Sequence, residues 1–144
     1  IGKSITLRKG IDIAILAVGN MVPHAMKAAE LLQNSGSSAE VVNMRFVKPL
    51  DTALLDDIAE RFTHVLTVED NAAIGGFGSG VAEYYATTQH QNLQLRIHGL
   101  PDEYIEQGSQ EELHRSLNLD PLGIARTASG MLGVALSTSV EKIA

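Results

Sequence analysis

Polar and apolar residues alternate through positions 4–8 (Ser, Ile, Thr, Leu, Arg), the period of two of a half-buried strand, and Lys9-Gly10 ends the pattern as a turn. An edge strand is expected there. Residues 11–18 are a mostly apolar, β-branched run closed by Gly19-Asn20, which suits a strand covered on both faces and central in its sheet. From 21 to 34 the period changes: Met21, Ala25, Ala28, Ala29 and Leu32 recur at three and four, placing one buried stripe on a helix that Asn34-Ser35-Gly36 stops. Residues 39–45 read as another strand. Pro49 interrupts, Asp51 is a good N-cap, and Leu54, Leu55, Ile58, Ala59 and Phe62 form the next helical stripe.

Residues 65–68 read as a short third central strand leading into V-E-D-N-A-A-I-G-G-F-G-S-G-V-A-E, residues 68–83. A helix over 81–89 follows, then a strand over 93–97 with Leu93, Leu95 and Ile97 on one side, then a turn at 99–102. Ser109 with Glu112 forms a capping box, and Asp120-Pro121 joins an N-cap to proline at the first helical position, so two further helices close the pattern. Strands alternating with helices of about three turns predict an α/β fold, a mostly parallel sheet with helices on both faces, because each parallel crossover must pass over a face. Ligands of such sheets favour the carboxyl ends of the strands, here the loops 19–23, 45–51 and 69–79.

A chain of 144 residues without repeats or linkers is one domain. It has no cysteine, which excludes disulfides, thiolate metal sites and cysteine nucleophiles. A net charge of −6 with Lys and Arg scattered singly gives no basic face for nucleic acid or an anionic membrane. The longest apolar runs, 13–18 and 131–136, fall far short of the roughly 20 residues of a membrane span. The chain opens on Ile1 without a charged leader, which fits a removed natural start and would hide any transit peptide.

The glycine-rich loop invites a phosphate reading, and its spacing rejects it. The dinucleotide fingerprint started at Gly76 and Gly78 puts its third glycine on Val81, and started at Gly78 and Gly80 on Glu83. A Walker loop needs a lysine after Gly80, where Val81 stands. Glu69 and Asp70 at the loop's mouth would repel an anion, and Asp70 with Asn71 lacks a third ligand for a divalent metal. The favoured reading is a strand-to-helix turn. Gly75 and Gly76 supply positive φ or close backbone approach, Phe77 anchors it, and the helix begins near Gly78 or Ser79. Such a loop is also a plausible contact surface for another domain or subunit.

The other candidates are weaker. The five histidines show no metal-type pair at i, i+4, and only His64 lies near the acidic loop in sequence, so structural roles are expected. Arg45 and Lys48 make either an anion site at a strand end or a salt bridge to Glu69 or Asp70, and the salt bridge is the expectation. Gly78-Ser79-Gly80 lacks the G-x-S-x-G frame of a serine nucleophile. The residues alone assemble no active site.

Three motifs, V-V-N-M-R-F-V-K-P-L-D, T-V-E-D-N-A-A-I-G-G-F-G-S-G-V and the discriminating G-L-P-D-E-Y-I-E-Q-G-S-Q-E-E-L, resemble the C-terminal domain of the 1-deoxy-D-xylulose-5-phosphate synthase family, within the transketolase C-terminal superfamily. The likeness runs to about Arg126 and departs over the tail, 130–144. It implies a five-stranded, three-layer α/β/α domain whose sheet has one antiparallel edge strand. It implies a larger thiamine diphosphate and Mg2+ dependent transferase that decarboxylates pyruvate and joins the two-carbon fragment to glyceraldehyde 3-phosphate, serving isoprenoid and thiamine biosynthesis. The cofactor's G-D-G motif and activating glutamate belong to upstream domains and are absent here, so no catalytic, cofactor or metal residue is expected in this chain.

The resemblance also implies a homodimer, in a bacterial cytoplasm or a plastid. The expected interface comprises Arg45, Lys48, Glu69, Asp70, Asn71, Gly75, Gly76, Phe77 and Gly78. A docking module for a separate partner and a free-standing nucleotide-binding domain stand as alternatives.

Overall fold

The computed structural model describes residues 1–90, 92–103 and 107–137. Part of the G-L-P-D-E-Y-I-E-Q-G-S motif, 104–106, and the end of the tail, 138–144, lie outside the described residues. In chain order the elements are β1 (Ile5–Arg8), β2 (Ile13–Ala17), α1 (Met21–Asn34), β3 (Ala39–Asn43), α2 (Thr52–Arg61), β4 (His64–Ala72), α3 (Phe77–Thr87), β5 (Gln94–Leu100), α4 (Gln110–Ser116) and α5 (Pro121–Leu132).

With no polar side chain to place, β2 is fully buried on both faces and pairs in parallel with β3 and with β4. β5 extends the parallel run beyond β4, and β1 pairs antiparallel with β3, giving the order β1-β3-β2-β4-β5. Side chains alternate along β2, so Ile13, Ile15 and Ala17 face α1 and α5 while Ala14 and Leu16 face α2 and α3. Ala25, Ala28 and Ala29 of α1 share the first core with Ala125 and Ala128 of α5, small residues that allow a close helix approach.

Polar groups fix the ends of the elements. Asp51 accepts the Leu54 amide at 3.3 Å as the cap of α2 and also binds the Ser4 amide at 2.9 Å, tying the approach to β1 to the body. Glu40 of β3 is fully buried and receives two guanidinium bonds from Arg61, at 3.0 and 2.7 Å. Burial pushes its carboxyl pKa up, but those bonds and the Gly10 amide more than offset the effect and leave it below the ordinary value.

The edge strand, the central strand and the first two helices lie where the pattern placed them. Two strands are longer than expected. β4 continues through Glu69, Asp70 and Asn71 to Ala72, and β5 continues through Gly99 to Leu100, where a turn was expected. The extensions support each other: Ala72 pairs with Leu100 after a register shift, and Ala73 donates its amide to the Leu100 carbonyl at 2.9 Å. The capping box and the Asp120-Pro121 start are both formed. The first part of the tail belongs to α5, which ends at Gly133 in the left-handed conformation with φ 70°.

Candidate functional site

Because β4 outruns β2, residues 69–76 form a ridge at the carboxyl edge of the sheet. Glu69 lies at its base and is fully buried. Its two carboxylate oxygens accept the Phe77 and Gly78 amides at 2.8 and 2.9 Å, the first orphan donors of α3. The protein's own carboxylate thus occupies the place where a helix N-terminus would hold a phosphate. The helix begins at Phe77, a residue before the expected start, because this cap orders the first turn.

The glycines answer to that geometry. Gly75 has φ 77°, and a Cβ on Gly76 would fall 2.3 Å from both Ala72 O and Glu69 Oε2. A Cβ on Gly78 would meet Ile97 and Thr67 at 2.6 Å, so α3 sits against β4 and β5 at a distance only glycine permits. Ser79 completes the turn, its Oγ accepting the Gly75 amide at 2.9 Å and donating to Ala73 O at 2.8 Å. Close backbone approach, as expected, is what the loop requires.

The expected pairing of Arg45 or Lys48 with Glu69 or Asp70 does not form. Glu69 is spent on the α3 amides, and Asp70 takes other partners. Arg45 is exposed, with φ 61°, its guanidinium 5.4 Å from the Phe46 ring centre and a long 3.5 Å bond to Lys3 O. Lys48 is exposed on the same loop. Of the nine residues expected at an interface, Glu69, Phe77 and Gly78 are buried within the domain, Phe77 among Leu16, Val65, Val81 and Tyr85. Arg45, Lys48, Asn71 and Gly75 are on the surface, joined by two exposed apolar side chains, Ile74 (74%) and Val47 (44%).

Asp70 is the polar hub of the ridge. Its Oδ2 accepts Asn20 Nδ2 at 2.9 Å and Gln110 Nε2 at 3.3 Å, and stands 3.2 Å from His114 Nε2. Burial pushes its pKa up, but Asn20, His114 and Gln110 more than offset this and hold it below the ordinary carboxylate value. The histidine beside the acidic segment is therefore His114, buried on α4, and not His64. Sequence distance hid it. The usable signal was the capping box, which fixes α4 and puts Gln110 and His114 one turn apart on one face.

A groove of about 800 Å³ opens beside this hub between α1 and the α4–α5 pair, lined by His24, Lys27, Glu30, His114 and Arg115 among others. Among the described residues, no group of three His, Cys, Asp or Glu side chains is arranged to hold a metal ion. Thiamine diphosphate and Mg2+ do not fit the ridge either: Glu69 fills the anion position at α3, and the carboxylate of Asp70 is engaged by Asn20, Gln110 and His114. Among the described residues, no helix of the chain is long and apolar enough to cross a membrane.

Residues 2–124 match the family model for the transketolase C-terminal domain. Curated relatives named 1-deoxy-D-xylulose-5-phosphate synthase include one from Magnetococcus marinus, 47% identical over 92% of this chain and 22% of its own length. Another, from Pseudoalteromonas atlantica, is 46% identical over 92% of the chain and 20% of its own length. The chain thus spans about a fifth of the length of the curated relatives it matches. Among solved structures, a split-gene transketolase described as an inactive beta4 tetramer superposes with a TM-score of 0.84 at 30% identity, covering 92% of this chain and 43% of that one. A transketolase variant from Pichia stipitis shares the fold, with a TM-score of 0.68 at 22% identity over 92% of this chain and 18% of its own. The chain belongs to the transketolase C-terminal domain family.

Proposed function

We propose that this chain is the C-terminal domain of a 1-deoxy-D-xylulose-5-phosphate synthase, a transferase that condenses pyruvate with glyceraldehyde 3-phosphate and releases carbon dioxide. The observation that carries the reading is the 46–47% identity to synthases over 92% of the chain. In the full enzyme thiamine diphosphate, held with Mg2+ by upstream domains, supplies the electron sink for decarboxylation. This domain contributes assembly and is inactive alone. The closed cap at Glu69 supports that division, since the helix end best suited to a phosphate is already satisfied.

The assembly surface is the carboxyl edge of the sheet, where Arg45 and Lys48 stand exposed after β3, and Asn71, Ile74 and Gly75 at and after the end of β4. Its partners are the upstream domains of the same chain and a second copy, in a homodimer of the bacterial cytoplasm. Calorimetric titration with thiamine diphosphate and Mg2+ tests the reading, with the 144-residue chain giving no heat and the full-length protein binding and turning over. Micromolar binding to the isolated chain would overturn the placing of the cofactor upstream.

A further inference from the structure

The sequence scatters its Lys and Arg singly, but the fold gathers five of the eleven along one edge of the sheet. Lys3, Arg8 and Lys9 come from β1 and its flanks, Arg45 and Lys48 from the loop after β3. The two segments are neighbours because β1 runs antiparallel to β3 with Ile5 opposite Asn43, so the chain before Ile5 lies beside the chain after Asn43. Arg45 Nη1 reaches the Lys3 carbonyl at 3.5 Å, and a Cβ on Gly2 would stand 3.0 Å from Pro49 Cγ. From Lys3 to Lys9 the edge is about 20 Å long at the rise of an extended chain.

The carboxylates at this edge are already engaged. Asp51 is buried, and its bonds to the Ser4 and Leu54 amides are shorter than its 3.5 Å approach to Lys3. Glu40 is buried and bound by Arg61 at 2.7 and 3.0 Å, with Lys9 farther off at 3.8 Å. Asp12 accepts the Ser38 amide at 2.7 Å, and Asp57 is held by Arg61 at 2.8 Å. Lys3 and Lys9 therefore keep most of their side chains in solvent, 72% and 77% exposed. Arg8 donates to the neutral amide of Gln33, and Arg45 and Lys48 are exposed. Between the cations stand Ile5 and Leu7, 47% and 43% exposed.

Among the described residues β1 is hydrogen-bonded to β3 on one side and to no strand on the other, so its outer side offers main-chain groups to a further strand. Cations flanking an edge strand guard it against a second copy, and they do so here. The antiparallel register that sets Ile5 against Leu7 of a second copy also sets Lys3 against Lys9. The register shift between Thr6 and Arg8 and the four-residue length restrict the edge to a short partner. What this guard repels in one sign it attracts in the other. A phosphate polymer would use the cations but neither the apolar pair nor the open backbone, so the surface fits protein better than nucleic acid. We propose that the β1 edge docks a short, extended, acidic segment of another protein, with carboxylates opposite Lys3 and Lys9 and apolar side chains opposite Ile5 and Leu7. The segment adds as a strand beyond β1: main-chain hydrogen bonds supply the pairing, and the cations select its sign and register. Arg45 and Lys48 extend the attraction past the end of the strand, so β1 itself distinguishes this contact from the assembly surface to which those two also belong.

Amide chemical-shift mapping of the 144-residue chain with a blocked heptapeptide, two glutamates at each end and Val-Thr-Val between, tests this. The amides of residues 4–9 are expected to shift, with those of 45–48 beside them. A version with lysine for glutamate should bind about ten-fold more weakly or worse. Lys3→Gln with Lys9→Gln leaves Asp51 and Glu40 their nearer partners and should weaken the acidic peptide about ten-fold. Ile5→Thr with Leu7→Thr should weaken both peptides and leave the preference for the acidic one intact. Should either double variant not fold, the two peptides on the unmodified chain decide. Equal binding of both, shifts centred away from β1, or no shifts at about 1 mM peptide would overturn the docking surface. Tighter binding of an oligothymidylate of equal charge would overturn it in favour of a nucleic acid. A full-length protein that no longer takes the peptide would show this edge covered by its own upstream domains and would overturn a separate partner.

Discussion

Glu69 Oε1 accepts the Gly78 amide at 2.9 Å, while its other oxygen accepts the Phe77 amide, so one buried carboxylate within β4 caps the start of α3. Both acceptors are required. Glu69→Gln keeps the shape but turns an NH2 group toward one of the two amides, leaving a buried donor unsatisfied at a cost of about 1–3 kcal/mol. The urea midpoint should drop accordingly with the m-value unchanged. A midpoint equal to that of the unmodified chain would mean the cap contributes nothing.

The glycines of the same loop separate by sign. Gly76→Ala drives a methyl to 2.3 Å from Ala72 O and Glu69 Oε2, which neither neighbour can relieve without breaking the cap, so a loss of about 1–3 kcal/mol or more is expected. Gly80 lies inside α3 and its Cβ would meet only Leu50 Cδ1, at 3.7 Å. Gly80→Ala should therefore stabilise by about 0.5–1 kcal/mol through helix propensity. Thermal unfolding of the two variants side by side checks the contrast; equal shifts would show that local space does not set the outcome.

Arg61 and Glu40 form an unequal pair, the carboxylate fully buried and the guanidinium partly exposed. Arg61→Ala removes the nearer of two counter-charges from a buried group, leaving Lys9 at 3.8 Å, and is expected to cost about 3 kcal/mol at neutral pH, the low end for breaking a buried pair because Arg61 itself is partly solvated. The pH dependence should weaken. In the unmodified chain the Glu40 pKa is lowered, so its contribution is lost as pH falls below the ordinary 4.5. Without the Arg61 bonds the lowering is smaller, with the Gly10 amide and Lys9 still favouring the carboxylate, so the variant should lose less stability than the unmodified chain between about pH 6 and pH 3. Urea midpoints across that range give the answer, and a parallel offset at every pH would reject the buried-carboxylate account.

Much of this architecture was legible because local pattern and tertiary demand agree. The buried run at β2, the stripe of Met21, Ala25, Ala28, Ala29 and Leu32, and the caps at Asp51, Ser109 and Asp120 each state in sequence what the fold uses. The extension of β4 was not legible. Glu69, Asp70 and Asn71 have poor strand propensity, and their placement depends on pairing with β5 and on amides of Phe77 and Gly78 eight and nine residues ahead. That long-range capping also misled the charge reading, since carboxylates followed by glycines look available to a basic partner until the helix amides claim one of them. Asp70 with His114 was hidden for the same reason, forty-four residues apart in sequence and 3.2 Å apart in space.

The ridge makes one further prediction at the level of the whole enzyme. Ile74 is 74% exposed, so Ile74→Asp should leave the stability of the 144-residue chain within about 0.5 kcal/mol of its original value. If the carboxyl edge packs against upstream domains or a second copy, the same substitution in the full-length synthase places a carboxylate in an apolar contact and should weaken assembly by about 2 kcal/mol, roughly a thirty-fold shift in the dissociation constant. Sedimentation of the full-length protein and its turnover with pyruvate and glyceraldehyde 3-phosphate measure both consequences. Asn92→Asp, exposed before the amino end of β5 on the opposite edge of the sheet, adds the same single negative charge as a control and should change neither. An unaltered sedimentation profile for Ile74→Asp would place the assembly surface elsewhere, with Ile5 and Leu7 of the open edge strand β1 the next exposed apolar positions to vary.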